Sequence, residues 1–439
     1  MTATQTRKLF GTDGVRGRVG ELLTPELAVA LGRAASAELE SDRPQVVIVR
    51  DTRESGPMLE SALAAGIAAA GGDAYLGGVL PTPAASILVR RHGLDLGAVV
   101  SASHNPWEDN GIKFFGADGM KLDDDVEERI EARVGDGPDT AAVGRIRALE
   151  GALDDYLREL SSKFELDLAG RTVLLDCANG ATSRAAPLAF ERLGARVEAV
   201  AAEPDGRNIN AGCGAIHPES LGERMRDSGA EVGFAFDGDG DRMLAVDRTG
   251  RVRDGDELVA IIAAHLQRAD ALPGGVVVTV MTNYGFHAAM SESGIEVATA
   301  KVGDRYVIEG LREREWTLGG EQSGHLIWMD FAPTGDGIAA ALMLERALEG
   351  RDLAEVEPFE RLPQRLVNVE LADPDALESA AGLWEAVDRE NAVLDGRGRV
   401  LVRPSGTEPL LRLMVEAPSE EECESVLERL GEAARRELG

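Results

Sequence analysis

Three aspartates separated by single glycines, Asp237-Gly238-Asp239-Gly240-Asp241, directly follow the apolar run Val232–Phe236. Alternate residues of an extended segment project to one side, so the three carboxylates converge. Glycine between them removes the steric obstacle to tight turning. Converging hard oxygen donors suit Mg²⁺ or Ca²⁺. An EF-hand would need glycine at the sixth loop position and an acid at the twelfth; Arg242 and Arg248 stand there, so that module is excluded. The plainer alternative to a metal loop is a solvated acidic turn. Arg242, next in sequence, is a candidate contact for a substrate phosphate beside the metal.

Four other loops carry reactive or anion-binding side chains. Ser101-Ala102-Ser103-His104 closes an apolar run, and Asn105-Pro106 forces a turn after it. Taken alone, this is a polar turn whose serines cap backbone groups. No G-x-S-x-G is present, which disfavours a serine hydrolase. Beside a three-aspartate loop, however, a phosphorylated Ser103 would supply a fourth hard oxygen to the metal, and Lys113 in NGIKFF is a candidate acid or base. Phe10–Gly17 (FGTDGVRG) is a glycine-rich loop with Arg16 as its charge. Gly320–His325 (GEQSGH) offers Glu321, Ser323 and His325, a natural set for sugar hydroxyls. Arg403–Glu408 (RPSGTE) offers Arg403, Ser405, Gly406 and Thr407, with Arg412 nearby, a phosphate site of hydroxyls, backbone N–H groups and guanidinium. His92, His217, His265 and His287 have no comparable setting and are read as structural.

The elements that must hold these loops repeat along the chain. QVVIVRD from Gln45, TVLLDCANG from Thr172 and GVVVTVMTN from Gly275 are continuous apolar strands, each followed by a helix, a glycine and a second strand. That alternation indicates βαβ units with right-handed crossovers, forming parallel sheets covered on both faces. Each unit leads to a further strand ending in one of the chemical loops: SASHNP, DGDGDR or GEQSGH. Ligands of open α/β sheets bind beyond the carboxyl ends of strands. The expected fold is therefore α/β, with three similar mixed-sheet domains and a smaller α+β C-terminal domain around a central cleft. The expected bounds are 1–152 for the phosphoserine loop, 153–255 for the metal loop, 256–365 for the sugar loop and 366–439 for the phosphate loop.

Composition narrows the partners. The 439 residues carry a formal charge of −31, spread along the chain, which argues against nucleic acid and anionic membranes. A phosphate site in such a chain must create its own positive field. Only five of the 46 basic residues are lysines: Lys8, Lys113, Lys121, Lys163 and Lys301. Cys177, Cys213 and Cys423 are widely spaced, consistent with a reduced cytoplasmic protein without zinc or disulfides. The first residues lack the apolar core of a signal peptide. Neither a Walker A nor a G-x-G-x-x-G sequence occurs, so nucleotide kinase and dinucleotide readings find no motif.

Together, SASHNP, DGDGDR, GEQSGH and RPSGTEP, in this order and over essentially the whole chain, resemble the loops of the α-D-phosphohexomutase family. The resemblance implies four domains around a cleft, phosphorylation of Ser103, and Mg²⁺ on Asp237, Asp239, Asp241 and Ser103. It places His104 and Lys113 among candidate proton-transfer residues, and Lys301 in a loop lining the cleft. FGTDGVRG, NPWEDNGIKFFG and Gln322 within GEQSGH lean towards members that interconvert glucosamine 6- and 1-phosphates through a 1,6-bisphosphate, which also serves as activator. Ala215-Ile216 departs from the Ser-Thr usual in that group. The alternatives are a mannose or glucose phosphate mutase and, in another reaction class, a metal-dependent sugar phosphatase. The expected partner is a small sugar phosphate, and the chain is expected to be a monomer or homodimer.

Overall fold

The computed structural model describes residues 9–11, 13–137, 142–370, 377, 380–404 and 410–438. The chain forms two compact units: Met1–Met281 with Glu296–Val356, and Thr282–Ile295 with Glu357–Gly439. No helix among the described residues is long and apolar enough to cross a membrane.

The larger unit holds three sheets. The first contains β1 (Val15–Arg18), β2 (Gln45–Arg50), β3 (Asp73–Val79), β4 (Leu96–Val100), β5 (Asp109–Gly116) and β6 (Ile146–Ala148), in the order β1-β5-β4-β2-β3-β6. The second contains β7 (Thr172–Asp176), β8 (Arg196–Val200), β9 (Val232–Phe236), β10 (Met243–Asp247) and β11 (Val252–Arg253), in the order β11-β10-β9-β7-β8. The third contains β12 (Gly275–Thr279), β13 (Glu296–Ala300), β14 (Leu318–Gly320) and β15 (Leu326–Trp328), in the order β13-β12-β14-β15.

One pattern underlies all three. A central strand (β2, β7 or β12) pairs in parallel with the next strand on one side and the third on the other. The third strand is then paired antiparallel to a fourth. The reversal creates a switch point at the carboxyl ends of the first and third strands, where open α/β sheets leave a crevice. SASHNP follows β4, DGDGDR follows β9 and EQSGH follows β14, so each chemical loop occupies the same topological position.

Local sequence explains the helices around the sheets. Thr24 caps helix Pro25–Ala37 by accepting from the Leu27 amide, and proline opens its first turn. That helix crosses Gly56–Ala69 at Gly32 and Gly66, where an added Cβ would lie 2.3 and 2.1 Å from backbone oxygens of the other helix. Asp254 and Glu257 form a capping box on Gly255–Arg268. The strands read as continuous apolar runs because both faces are covered: β4, β9 and β12 are buried throughout.

The smaller unit is an antiparallel sheet of β16 (Gln364–Glu370), β17 (Arg399–Pro404) and β18 (Leu410–Glu416), in the order β16-β18-β17. Helices Ala381–Leu394 and Glu420–Leu438 pack with it around Leu383, Leu411, Leu413, Val415 and Leu430. The crossover helix Tyr284–Glu292 of the third repeat belongs to this unit. Buried Glu416 explains the attachment, accepting from Asn283 Nδ2 at 3.2 Å and from the Tyr284 amide at 3.1 Å.

Candidate active site

A cleft of about 430 Å³ in the larger unit is lined by Asp13, Arg16, Ser103, His104, Asp241, Arg242, Glu321, Gln322, Ser323 and His325, among others. It brings together side chains from all three repeats.

Ser103 is at its centre. Its Oγ donates to Asp237 Oδ2 at 2.6 Å, and it is buried with φ at +49°, in the left-handed region that costs a non-glycine residue strain. Arg53, fully buried, holds the loop in that shape. Its Nη2 donates to the carbonyls of Ser103 and Asn105 at 2.8 and 2.9 Å, and its Nη1 to those of Pro106 and Asp109. Asn210 Nδ2, from the second repeat, reaches the Ser103 carbonyl as well, at 2.9 Å. Asp51 anchors Arg53 Nε at 2.8 Å and accepts from Ser101 Oγ at 2.5 Å, and Ser101 Oγ accepts from the Ser103 amide at 3.0 Å.

The three aspartates converge as their spacing requires. One carboxylate oxygen from each lies within 4.8 Å of the others, and all three residues are buried. Burial, followed by repulsion from Asp241 and Asp239, pushes the Asp237 carboxyl well above its usual range. Burial alone would raise Asp239 too, but Lys113 at 2.9 Å and the Thr82 hydroxyl at 2.5 Å hold it below the usual range. One oxygen each of Asp239 and Asp241 is buried without a hydrogen-bond partner. Unsatisfied, mutually repelling hard oxygens beside a serine hydroxyl fit a divalent cation of the Mg²⁺ type.

Lys113 is buried. Desolvation alone would lower its pKa, but Asp13, Asp239 and Asp241 outweigh it and raise the ammonium pKa. That setting keeps the ammonium charged beside the carboxylate cluster. His104 Nδ1 lies 3.4 Å from Ser103 Oγ, and burial, then repulsion from Arg242 and Arg16, lowers its pKa below the ordinary imidazole value. A neutral imidazole beside the serine is suited to accept a proton.

In the third repeat, Glu321 Oε1 accepts from the Gly303 amide at 3.0 Å, and Ser323 is exposed to the cleft. His325 is buried, with Nδ1 3.7 Å from Asp241 and Nε2 3.7 Å from Asp304. Lys301 is not among the lining residues; its ammonium lies over the Tyr306 ring, 5.6 Å from the centroid. Arg403 and Arg412, in the smaller unit, are direct cross-strand partners. Ser405, Gly406 and Thr407 lie outside the described residues.

Sequence reasoning missed Arg53, Asp51 and Asn210, which position Ser103, and the ion pairs of Asp13, Lys121 and Asp304. The signal for the second group was present: lysine is rare here, and Asp13 and Asp304 sit inside motifs already singled out. Arg53 had no such mark, since one arginine among so many carries no contrast.

A serine against a buried carboxylate cluster, facing a carboxylate, a hydroxyl and an imidazole across one cleft, suits metal-assisted phosphoryl transfer. Models of the phosphoglucomutase/phosphomannomutase α/β/α domains I, II and III match residues 7–140, 154–250 and 254–362, and the C-terminal domain model matches 366–433. The chain belongs to this phosphohexomutase family and is an intramolecular phosphotransferase. Among its relatives, the phosphoglucosamine mutase of Moorella thermoacetica is 50% identical over 97% of this chain and 99% of its own length. That of Desulforudis audaxviator is 50% identical over 96% of each. A phosphoglucomutase/phosphomannomutase family protein from Burkholderia thailandensis superposes with a TM-score of 0.82 at 25% identity, covering 98% of this chain and 97% of that one.

Proposed function

We propose that the protein interconverts glucosamine 6-phosphate and glucosamine 1-phosphate through a phosphoserine at Ser103. The observation that carries this reading is the 2.6 Å contact between Ser103 Oγ and Asp237 in a cleft shared with Glu321 and Ser323. The identity to named phosphoglucosamine mutases supports the amino sugar.

Phospho-Ser103 gives its phosphoryl group to the free hydroxyl of the sugar phosphate. The P–Oγ bond breaks, a P–O bond to the sugar forms, and His104 takes the hydroxyl proton. The bisphosphate turns over within the cleft and returns its other phosphoryl group to Ser103. A divalent cation, when held by Asp237, Asp239, Asp241 and the phosphoserine, neutralises charge on the transferring group. Lys113 neutralises Asp239 and serves as proton donor, while Arg16 and Arg242 face the phosphoryl oxygens. Glu321, Ser323 and His325 grip the sugar in either orientation, with Lys301 on the adjoining loop. Arg403, Ser405, Gly406, Thr407 and Arg412 are assigned to the phosphate that is not reacting. Residues 1–152, 153–255, 256–365 and 366–439 are assigned to the four domains, Mg²⁺ is the assigned metal, and the 1,6-bisphosphate is the activator. The setting is cytoplasmic, as a monomer or homodimer.

The test is phosphorus NMR of phosphorylated protein with Mg²⁺, a trace of 1,6-bisphosphate and glucosamine 6-phosphate, with glucose and mannose 6-phosphates in parallel. Preferential formation of glucosamine 1-phosphate is expected. Faster conversion of glucose or mannose phosphate would overturn the amino-sugar assignment, and release of inorganic phosphate alone would overturn the mutase.

A further inference from the structure

Arg16 and His325 line the cleft from the first and third repeats, and neither stands alone. Arg16 pairs with Asp13, and Lys121 pairs with both Asp13, at 2.5 Å, and Asp304. Asp304 in turn lies 3.7 Å from His325 Nε2, whose other ring nitrogen is 3.7 Å from Asp241 of the metal loop. The side chain of Lys121 is 9% exposed, and those of Asp13 and Asp304 are 20% and 14% exposed. Charges alternate along the whole chain of contacts: Arg16, Asp13, Lys121, Asp304.

We propose that Lys121 is a positioning residue that ties Asp13 to Asp304 and thereby fixes Arg16 and His325 in register across the cleft. The inference rests on the phosphohexomutase reading and adds a residue to it. Three observations carry it. Lys121 is the direct salt-bridge link from Asp13 to Asp304 within the cleft wall, while Arg305 ties the same two repeats outside it through Glu127. Burial disfavours its charge, yet Asp13 and Asp304 raise its pKa, so the ammonium persists. Finally, Arg16 Nε and His325 Nε2 are buried without hydrogen-bond partners, so their aim depends on the carboxylates beside them. Small displacements of such groups are costly, because phosphoryl transfer depends on alignment.

Removing Lys121 alone takes the shared cation from two half-buried carboxylates, leaving Asp13 with Arg16 and Lys113, which threatens folding as well as positioning. The test therefore compares Lys121→Met, Lys121→Arg and the neutral triple variant Asp13→Asn/Lys121→Met/Asp304→Asn with the wild type. Each is assayed with glucosamine 6-phosphate for kcat and KM and heated to its unfolding midpoint. The expected order of kcat is wild type, Lys121→Arg, then Lys121→Met, with the last reduced by about tenfold or more at nearly constant KM. The triple variant is expected to melt near the wild type and remain slow. A triple variant with wild-type kcat would overturn the proposal, reducing the bridge to charge balance. So would wild-type kcat in Lys121→Met, or a change confined to KM. Absence of mutase activity in the wild type would instead overturn the functional reading.

Discussion

The loops after β9 and β14 occupy the same place in the same sheet topology, yet they are built to opposite ends. In the first, Asp237, Asp239 and Asp241 are 0%, 1% and 5% exposed, packed against Ser103 and locked by Lys113, Thr82 and the Arg242 amide. In the second, Glu321 and Gln322 are half-buried and Ser323 is open to the cleft. On the proposed mechanism, the contrast follows from what each loop would do. A transferring phosphoryl group tolerates little misalignment, so its surroundings are rigid and desolvated. A sugar that must be held in two orientations needs contacts that adapt, and an exposed hydroxyl that donates or accepts provides them.

The comparison breaks hardest at Ser103. Ser103→Ala is expected to lower kcat by roughly 10³-fold or more while leaving the unfolding midpoint near that of the wild type. A near-normal rate would end the phosphoserine assignment. Next comes Arg53, whose donors reach four loop carbonyls that a lysine cannot span. Arg53→Lys is expected to cost on the order of 10² in kcat, with KM little changed. Ser323→Ala tests the adaptable side: about a three- to tenfold loss, expressed mainly in KM, the scale of one hydrogen bond.

The smallest effect concerns support of the metal loop from behind. Asp336 caps helix Gly337–Leu348, whose first amide donates to the Gly240 carbonyl at 3.0 Å. Burial pushes its carboxyl up to about 6, against backbone amides and the Tyr156 hydroxyl that lower it. Between the unfolded value near 3.8 and about 6 the folded state therefore binds more protons than the unfolded one. As pH falls from 7 through this window, the wild type should gain stability relative to Asp336→Asn, which has no such titration. Melting both proteins at pH 7 and pH 4 reads this directly; a difference independent of pH would contradict it.

Much of this was legible in the sequence, and the reason is local. The apolar runs, turn residues and glycine-spaced aspartates encode their conformations within a few residues, so the repeats and three chemical loops could be read. The apolar alternation spoke for parallel pairing; the antiparallel fourth strand of each sheet left no such local mark. What could not be read was long-range. Arg53 meets Ser103 across 50 residues, and Lys121 meets Asp304 across 183. Neither contact leaves a periodicity, since a hydrogen bond to a carbonyl or a salt bridge needs only partners brought together by the fold. Around Lys301 the motif placed the loop: Val302, Gly303 and Asp304 line the cleft, while the Lys301 ammonium lies over the Tyr306 ring.

The scarcity of lysine has a further consequence once its members are located. Among the described lysines, Lys113 and Lys121 are sealed in salt bridges and Lys163 lies over the Trp328 ring, leaving Lys301 exposed. Guanidinium groups make up the rest of the basic surface and do not acylate at neutral pH. Acetyl donors and activated esters, whether metabolic by-products or laboratory reagents, therefore find Lys301 as the one exposed lysine among the described residues. Lys113 and Lys121 are shielded from that chemistry by burial, while the aspartates around them keep their charge.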